Sequence, residues 1–176
     1  LYQDIKKNGG VPVMAPAGHS LIKNKMRETG ALLAGEMSGH VCFADNYFGF
    51  DDAIFAAGRI LQIVAQSNMK VSEMLADLPK TAYTPEIRID CPDDKKFEIV
   101  RELTETFRSQ YEVIDIDGVR IEFDDGWALI RASNTQPVIV LRFEAKNEAR
   151  LIKLVGIIKE KMDHYQPIVD FNYSIC

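Results

Sequence analysis

The sequence predicts a mixed α/β protein in two parts, an α/β layer sandwich over residues 1–80 and an α+β unit over residues 86–176. Three observations predict it. In the first half, short apolar runs alternate with stretches of helical period, the pattern of helices laid on buried strands. In the second half, strand-like runs follow one another closely, with Asp117-Gly118 and Asp125-Gly126 at the junctions as hairpin signals. Between the halves, residues 79–85 hold two prolines and little apolar content, the composition of a linker.

Each element of the first half has a local reason. Residues 1–8 read as a helix stopped by Gly9-Gly10. Val11-Pro12-Val13-Met14 reads as a short strand, and a Pro-Ala-Gly loop leads on to His19. Ser20 is placed to cap a helix running to about Thr29, with Gly30 just past its end. Ala31-Leu32-Leu33-Ala34 and Val41-Cys42-Phe43 read as short buried strands, and Asp45-Asn46 as a turn. Asp51 or Asp52 caps a helix that sets Ile54, Ala57, Leu61 and Val64 on one face, a period of 3.6. A short helix over 72–77 ends at Leu78-Pro79.

Beyond the linker the pattern changes. Residues 86–91 alternate as a strand, and Asp93 caps a helix bearing Phe97, Val100, Leu103 and Phe107. Strands are expected over 112–116, 119–123, 127–131 and 138–144. A final helix, about 147–163, packs Leu151, Leu154, Val155, Ile158 and Met162. No internal repeat or low-complexity segment interrupts the chain.

Composition narrows the function classes. With 47% hydrophobic and 27% charged residues, the 176-residue chain is ordinary for a globular protein. A net charge of −5 and a pI near 5.3 argue against general nucleic-acid binding, while leaving room for a local pocket for a small anion. Cys42, Cys91 and Cys176 are odd in number, far apart and without metal-ligand spacing, as expected of reduced thiols in a cytoplasmic protein. No apolar run approaches the roughly 18 residues of a membrane span.

The stretch richest in chemistry is Gly35-Glu36-Met37-Ser38-Gly39-His40, between the two short strands. A carboxylate, a hydroxyl and an imidazole stand at alternate positions, which on an extended segment point to one side. Glycines at 35 and 39 let the backbone bend and approach a ligand. On spacing alone, a polar loop between strands and a site for a small polar ligand are equally good readings.

From Gly30 to His40 the run GALLAGEMSGH closely resembles the sugar-recognition loop of the α-D-phosphohexomutases. The GEMSGH form is most similar to the phosphomannomutase/phosphoglucomutase branch, since the glucosamine-phosphate branch tends to carry Gln at the position of Met37. The resemblance continues through Phe48-Gly49-Phe50-Asp51-Asp52, Asp117-Gly118-Val119-Arg120 and Arg131-Ala132-Ser133-Asn134-Thr135, and covers nearly the whole chain. It implies a three-layer α/β/α sandwich, here without its opening strand, followed by an antiparallel sheet with helices on one face. It also implies substrate-binding roles. Glu36 and Ser38 would grip neighbouring ring hydroxyls, and His40 would position a phosphosugar or move a proton. Arg131, Ser133, Asn134 and Thr135 would anchor the phosphate remote from the reacting one. Taken alone, that last run reads as a polar β-turn.

His19 lies in Gly18-His19-Ser20, which resembles the family's KTGHS segment. Here the chain departs from the pattern, with Pro16-Ala17 where the family has Lys-Thr, removing a cation and stiffening the loop. His164 reads as surface. Glu36 to His40 is no nucleophile elbow, because glycines would be needed at 36 and 40. Asp115-Ile116-Asp117-Gly118 reads as a strand entering a hairpin, and no metal ligands are expected within this chain.

The family's phosphoserine loop and Asp-rich metal loop have no counterpart in the sequence. The resemblance therefore implies the third and fourth domains of an enzyme that interconverts hexose 1-phosphate and hexose 6-phosphate through a bisphosphorylated intermediate. Mg²⁺, a hexose 1,6-bisphosphate activator and the N-terminal domains would belong to the parent protein. A non-catalytic phosphosugar-binding module and a structural remnant are the alternatives.

Overall fold

The computed structural model describes residues 1–173, so Cys176, expected as a reduced thiol, lies outside the described residues. The chain divides into two compact units, Leu1–Leu78 and Pro79 onward.

The first unit runs α1 (Tyr2–Lys7), α2 (His19–Thr29), β1 (Leu33–Gly35), β2 (Val41–Phe43) and α3 (Ala53–Gln66). Strands β1 and β2 form a two-stranded antiparallel hairpin with Ala34 opposite Cys42. A small core sits under it: Ile22 and Met26 of α2, with Cys42, are buried, and Ala31, Ala34 and Ala44 pack around them. Gly30 ends α2 in the left-handed conformation, φ 69°, as its place in the sequence predicts. Asp52 caps α3, its Oδ1 accepting from the amides of Ile54 and Phe55 at 2.9 Å each.

Several expectations for this unit are corrected. Residues 11–14 form no strand: Pro12 has no amide hydrogen to offer a ladder, and Val11 stands exposed. Gly18, and not Ser20, occupies the cap position of α2. The first strand is shifted to Leu33–Gly35, and Leu32 and Leu33 are exposed, because a two-stranded hairpin with one helix against it covers only one face. On α3 the face chosen by period is the wrong one. Ile54 and Leu61 are 87% and 67% exposed, while Phe55 turns inward and its ring stacks on Tyr47 at 3.8 Å. Apolar residues occur all round this helix, so periodicity does not single out the packed stripe. Residues 72–77 hold no α-helix, only a 3₁₀ turn at Val71–Glu73.

The second unit runs β3 (Ala82–Tyr83), β4 (Ile87–Asp90), α4 (Asp93–Arg108), β5 (Glu112–Ile114), β6 (Val119–Phe123), β7 (Gly126–Ala132), β8 (Val138–Ala145) and α5 (Glu148–Met162). Its sheet is antiparallel throughout, in the order β3-β8-β7-β6-β5, with β4 also paired to β8. Both helices pack on the same face. Val119, Ile121, Ala128, Ile130, Ile139, Leu141 and Phe143 join Leu103, Phe107, Leu154, Ile158 and Met162 in one core. Burying a large apolar side chain contributes about 1.5–3 kcal/mol, against roughly 0–1 for a surface ion pair. The core, and not the many ion pairs on this unit, therefore holds the sheet.

Three details differ from expectation here. The expected linker is partly sheet: Ala82 and Tyr83 pair with β8, and Thr84 is buried, exchanging hydrogen bonds with Phe143. On α4, Pro92 takes the cap position and Asp93 the first turn. Phe97 points outward while Lys96 is buried. The β6–β7 turn is Asp124-Asp125, which makes Gly126 the first residue of β7.

Gly126 is required by close approach. A Cβ there would strike the Glu144 carbonyl oxygen and lie 2.8 Å from Leu154 and 3.0 Å from the Ala145 Cα. Gly126→Ala should cost about 1–3 kcal/mol, the range for overpacking a filled interior, read as a lower urea midpoint for the second unit. An unchanged midpoint would show that the strands separate freely. In the first unit, the Tyr47 hydroxyl 2.6 Å away, and after it the Phe55 amide, hold the Asp52 carboxyl below the ordinary carboxylate range. A lowered carboxylate stabilises the fold fully above its unfolded value and loses that contribution as pH falls through its folded one. Asp52→Ala should therefore weaken the first unit at pH 7, with the difference closing toward pH 3. A difference constant with pH would sink this assignment.

Candidate functional site

Two groups of polar and charged side chains stand out, one on each unit. In the first unit the loop between β1 and β2 folds as a tight turn. The Glu36 amide donates to the His40 carbonyl at 2.9 Å, and the Gly39 amide to the Glu36 carbonyl at 3.0 Å. Gly39 has φ 92°, a conformation other residues rarely adopt. Glu36, Ser38 and His40 do converge, but the turn brings them together and not an extended strand. Ser38 Oγ lies 2.8 Å from His40 Nδ1 and 3.4 Å from Glu36 Oε2, and His40 Nδ1 lies 3.1 Å from Glu36 Oε2.

The group is larger than the loop. Gly18, just before α2, donates its amide to Glu36 Oε1 at 2.8 Å, so one carboxylate oxygen is held from outside the loop while the other faces Ser38 and His40. His19 follows, and its ring meets that of His40 edge-on with centroids 4.4 Å apart. With Pro16-Ala17 before Gly18, His19 lies beside the loop. His19 Nδ1 lies 3.2 Å from Asp51 Oδ1. A carboxylate only accepts, which assigns a proton to Nδ1 and leaves Nε2 as the ring nitrogen not turned to Asp51. The same contact holds the Asp51 carboxyl below its usual range. Both imidazoles are open to solvent, their side chains 50% and 43% exposed, while the Glu36 side chain is 14% exposed.

Asp51 was legible only as a helix-cap candidate. The isolated bridge between Cys42 and Asp51 sets it beside β2 and within reach of His19, a pairing that sequence spacing does not reveal. Cys42 and Cys91 are buried free thiols, and burial pushes both above the ordinary thiol range, so neither is poised as a nucleophile.

In the second unit the loop from β7 to β8 carries the other group. Arg131 stands on the sheet face away from the helices, and its Nη1 donates to Asp117 Oδ2 at 3.1 Å. Ser133 is buried, its Oγ accepting from the amides of Thr135 and Gln136 at 3.3 and 3.2 Å, so its oxygen shapes the loop. Asn134 and Thr135 are exposed at the loop's outer edge. Beneath the loop lies a residue the sequence did not single out. Lys96 is 3% exposed, and its Nζ donates to the Gln136 carbonyl at 2.9 Å and to Asp93 Oδ1 at 2.5 Å. Arg88 also donates to the Gln136 side chain. A lysine within an apolar helical stripe is the one local signal that could have drawn attention to it.

A helix-covered hairpin bearing a Glu-Ser-His cluster, followed by an antiparallel sheet under two helices, defines the chain as a mixed α/β protein with a group of polar and charged side chains on each unit. Family descriptions match both halves: phosphoglucomutase/phosphomannomutase, alpha/beta/alpha domain III, over residues 1–82, and the C-terminal domain of the same family over residues 86–161. The chain belongs to the phosphoglucomutase/phosphomannomutase family. It is 43% identical over 170 residues to a phosphomannomutase/phosphoglucomutase of Pseudomonas syringae pv. tomato, covering 96% of this chain and 37% of that protein. It is 46% identical over 155 residues to one of Pseudomonas aeruginosa, covering 88% of this chain and 34% of that protein. A crystal structure of a phosphoglucomutase/phosphomannomutase family protein from Burkholderia thailandensis superposes with a TM-score of 0.83 at 38% identity, over 97% of this chain and 36% of that one. The chain thus spans about a third of the length of the curated relatives it matches. Among the described residues, no helix is long and apolar enough to cross a membrane.

Lys96→Met keeps the length of the side chain and removes its charge. It should cost about 1.5–3 kcal/mol, the range for a hydrogen bond to a charged group, and speed hydrogen exchange at the Val138 amide, which donates to the same Gln136 carbonyl. Unaltered exchange at Val138 would show that the loop does not depend on Lys96.

Proposed function

We propose that this chain supplies the sugar- and phosphate-holding portion of a phosphomannomutase/phosphoglucomutase-type enzyme acting in a cytoplasmic setting. The parent would interconvert hexose 1-phosphate and hexose 6-phosphate by phosphoryl transfer through a bisphosphorylated intermediate, with a hexose 1,6-bisphosphate as activator and the N-terminal domains as partners. The observation that carries this reading is the convergence of Glu36, Ser38 and His40 on one turn, in a segment that resembles the family's sugar-recognition loop.

On this reading Glu36 Oε2 accepts from a ring hydroxyl while Gly18 holds Oε1, and Ser38 donates to or accepts from the neighbouring one. His19 and His40 orient the phosphosugar, and His40 is the group placed to take up or release a proton at a sugar oxygen. In the second unit Arg131, with Asn134 and Thr135, binds the non-reacting phosphate, and Ser133 and Lys96 keep that loop in shape. Mg²⁺ would supply charge neutralisation at the transferring phosphoryl group. The cluster His19, Glu36 and His40 is a poor fit to that ion, which prefers six oxygen ligands, so its ligands are sought in the rest of the parent protein. Taken alone, the 176 residues should bind hexose phosphates without turning them over, because the serine and metal loops have no counterpart in the sequence.

Titration calorimetry with glucose and mannose phosphates tests the reading. Arg131→Ala should weaken both by about ten- to a hundredfold, as expected for the loss of a charge-assisted hydrogen bond. Glu36→Gln should weaken sugar phosphates while leaving inorganic phosphate nearly unaffected. Equal affinities in the unmutated chain and both variants, or no binding at millimolar ligand, would leave the structural-remnant reading in place.

A further inference from the structure

The same cluster has a composition that holding a sugar does not require. Two imidazoles and a carboxylate, His19, Glu36 and His40, each present one ligand atom, and these three atoms lie within 4.8 Å of one another. Among the described residues this is the group of His, Cys, Asp and Glu side chains that could hold an ion. We propose that His19, Glu36 and His40 form a binding site for Zn²⁺ or a chemically similar borderline-soft divalent cation, which occludes the sugar-holding loop when it is filled.

Three features of the geometry support a metal over a hydrogen-bonded cluster alone. First, two ligands on a tetrahedral zinc with bonds of about 2.0–2.1 Å stand about 3.3 Å apart. His40 Nδ1 and Glu36 Oε2 are already 3.1 Å apart, and the His19 ligand atom, within 4.8 Å of both, has a short movement of one half-exposed side chain left to make. Second, the ligands are oriented from behind. Asp51 accepts from His19 Nδ1, so the ring presents Nε2, the carboxylate–histidine arrangement that commonly backs a metal ligand. The Gly18 amide fixes Glu36 Oε1 and so turns Oε2 toward His40 Nδ1, the other ligand atom of the pair. Third, two histidines and one glutamate leave a fourth position open for water or a ligand oxygen. Nitrogen-rich donors of this kind suit zinc and disfavour Mg²⁺.

Coordination balances without a co-reactant. Because a carboxylate only accepts, the contact between His40 Nδ1 and Glu36 Oε2 assigns a proton to Nδ1 in the metal-free chain. The cation takes the place of that proton, which moves to Nε2 of the same ring, so both ligand atoms stay where they are and no proton is lost. Glu36 Oε2 and His40 are then no longer available to ring hydroxyls. The occlusion clause rests on the sugar-binding reading above, whereas the metal site does not.

The test uses the full metal-free chain, titrated with ZnCl₂ against a competing chromophoric chelator, with CoCl₂ as a spectroscopic stand-in. One equivalent should bind, with the visible absorption of four-coordinate cobalt, and a large excess of MgCl₂ should not displace it. His19→Ala, His40→Ala and Glu36→Gln should each weaken binding at least tenfold. Asp51→Asn should weaken it by about ten- to a hundredfold, the usual effect of removing a group behind a ligand. His164→Ala, which alters the histidine at the end of α5, and Cys176→Ser should leave it unchanged. Loss of binding in either of these two controls, or indifference to all four site variants, would overturn the inference. So would failure of the unmutated chain to bind zinc. The sugar arm is read separately, by titrating glucose 1-phosphate with and without one equivalent of Zn²⁺. Zinc binding without any sugar-phosphate binding would sustain the metal site and remove the functional reading. Sugar-phosphate binding indifferent to bound zinc would overturn the occlusion.

Discussion

The pairing of β7 with β8 is the constraint on which the second unit depends. Seven residue pairs, from Gly126 opposite Ala145 to Ala132 opposite Ile139, lock the register, and a slip of one residue would turn every core side chain to the other face. Both helices pack against this ribbon, β3 and β4 are added to its outer edge, and β6 to its inner one. The loop that joins the two strands inherits their rigidity. Arg131 leaves β7 at the last turn of the ladder, so its direction is set by the sheet, while Ser133 and Lys96 fix the backbone that follows.

The first unit holds its chemistry by different means. Its buried core comprises three residues, and its hairpin has only two strands, so little apolar burial supports the loop. Order comes from a tight turn and a set of hydrogen bonds among Gly18, Glu36, Ser38 and His40. Apart from the part-buried bond from the Gly18 amide, these join exposed groups and are individually weak. Such a loop adapts to what it holds. The proposed sugar-holding set (Glu36, Ser38 and His40) and the proposed metal-holding set (His19, Glu36 and His40) share Glu36 and His40, so the two ligands would compete for those side chains.

Much of this was legible in the sequence, for identifiable reasons. Strand β6 alternates because one face is buried and the other is not, β8 opens with the apolar run Val138–Leu141, which is buried throughout, and α5 shows its packed stripe because the opposite face is largely charged. Glu36, Ser38 and His40 were readable as a convergent group from their spacing, although the turn that gathers them was not. What stayed hidden had no local signature. Asp51 reaches His19 across the fold, and Lys96 is buried because of a carbonyl forty residues away. The packed face of α3 was misread because apolar residues surround the helix, and the choice of Phe55 is made by Tyr47 and Phe43.

The short strand β3 bears on how this protein can be divided. Composition marks residues 79–85 as a connector, and the family's C-terminal domain is matched only from residue 86. Yet Ala82, Tyr83 and Thr84 satisfy the backbone of β8 from Phe143 to Ala145. A gene cut at residue 86 would strip that length of β8 of its neighbour and leave an open strand edge, a template on which a second copy can add. The boundary that respects the hydrogen bonds falls at Pro79, where the chain enters the second unit.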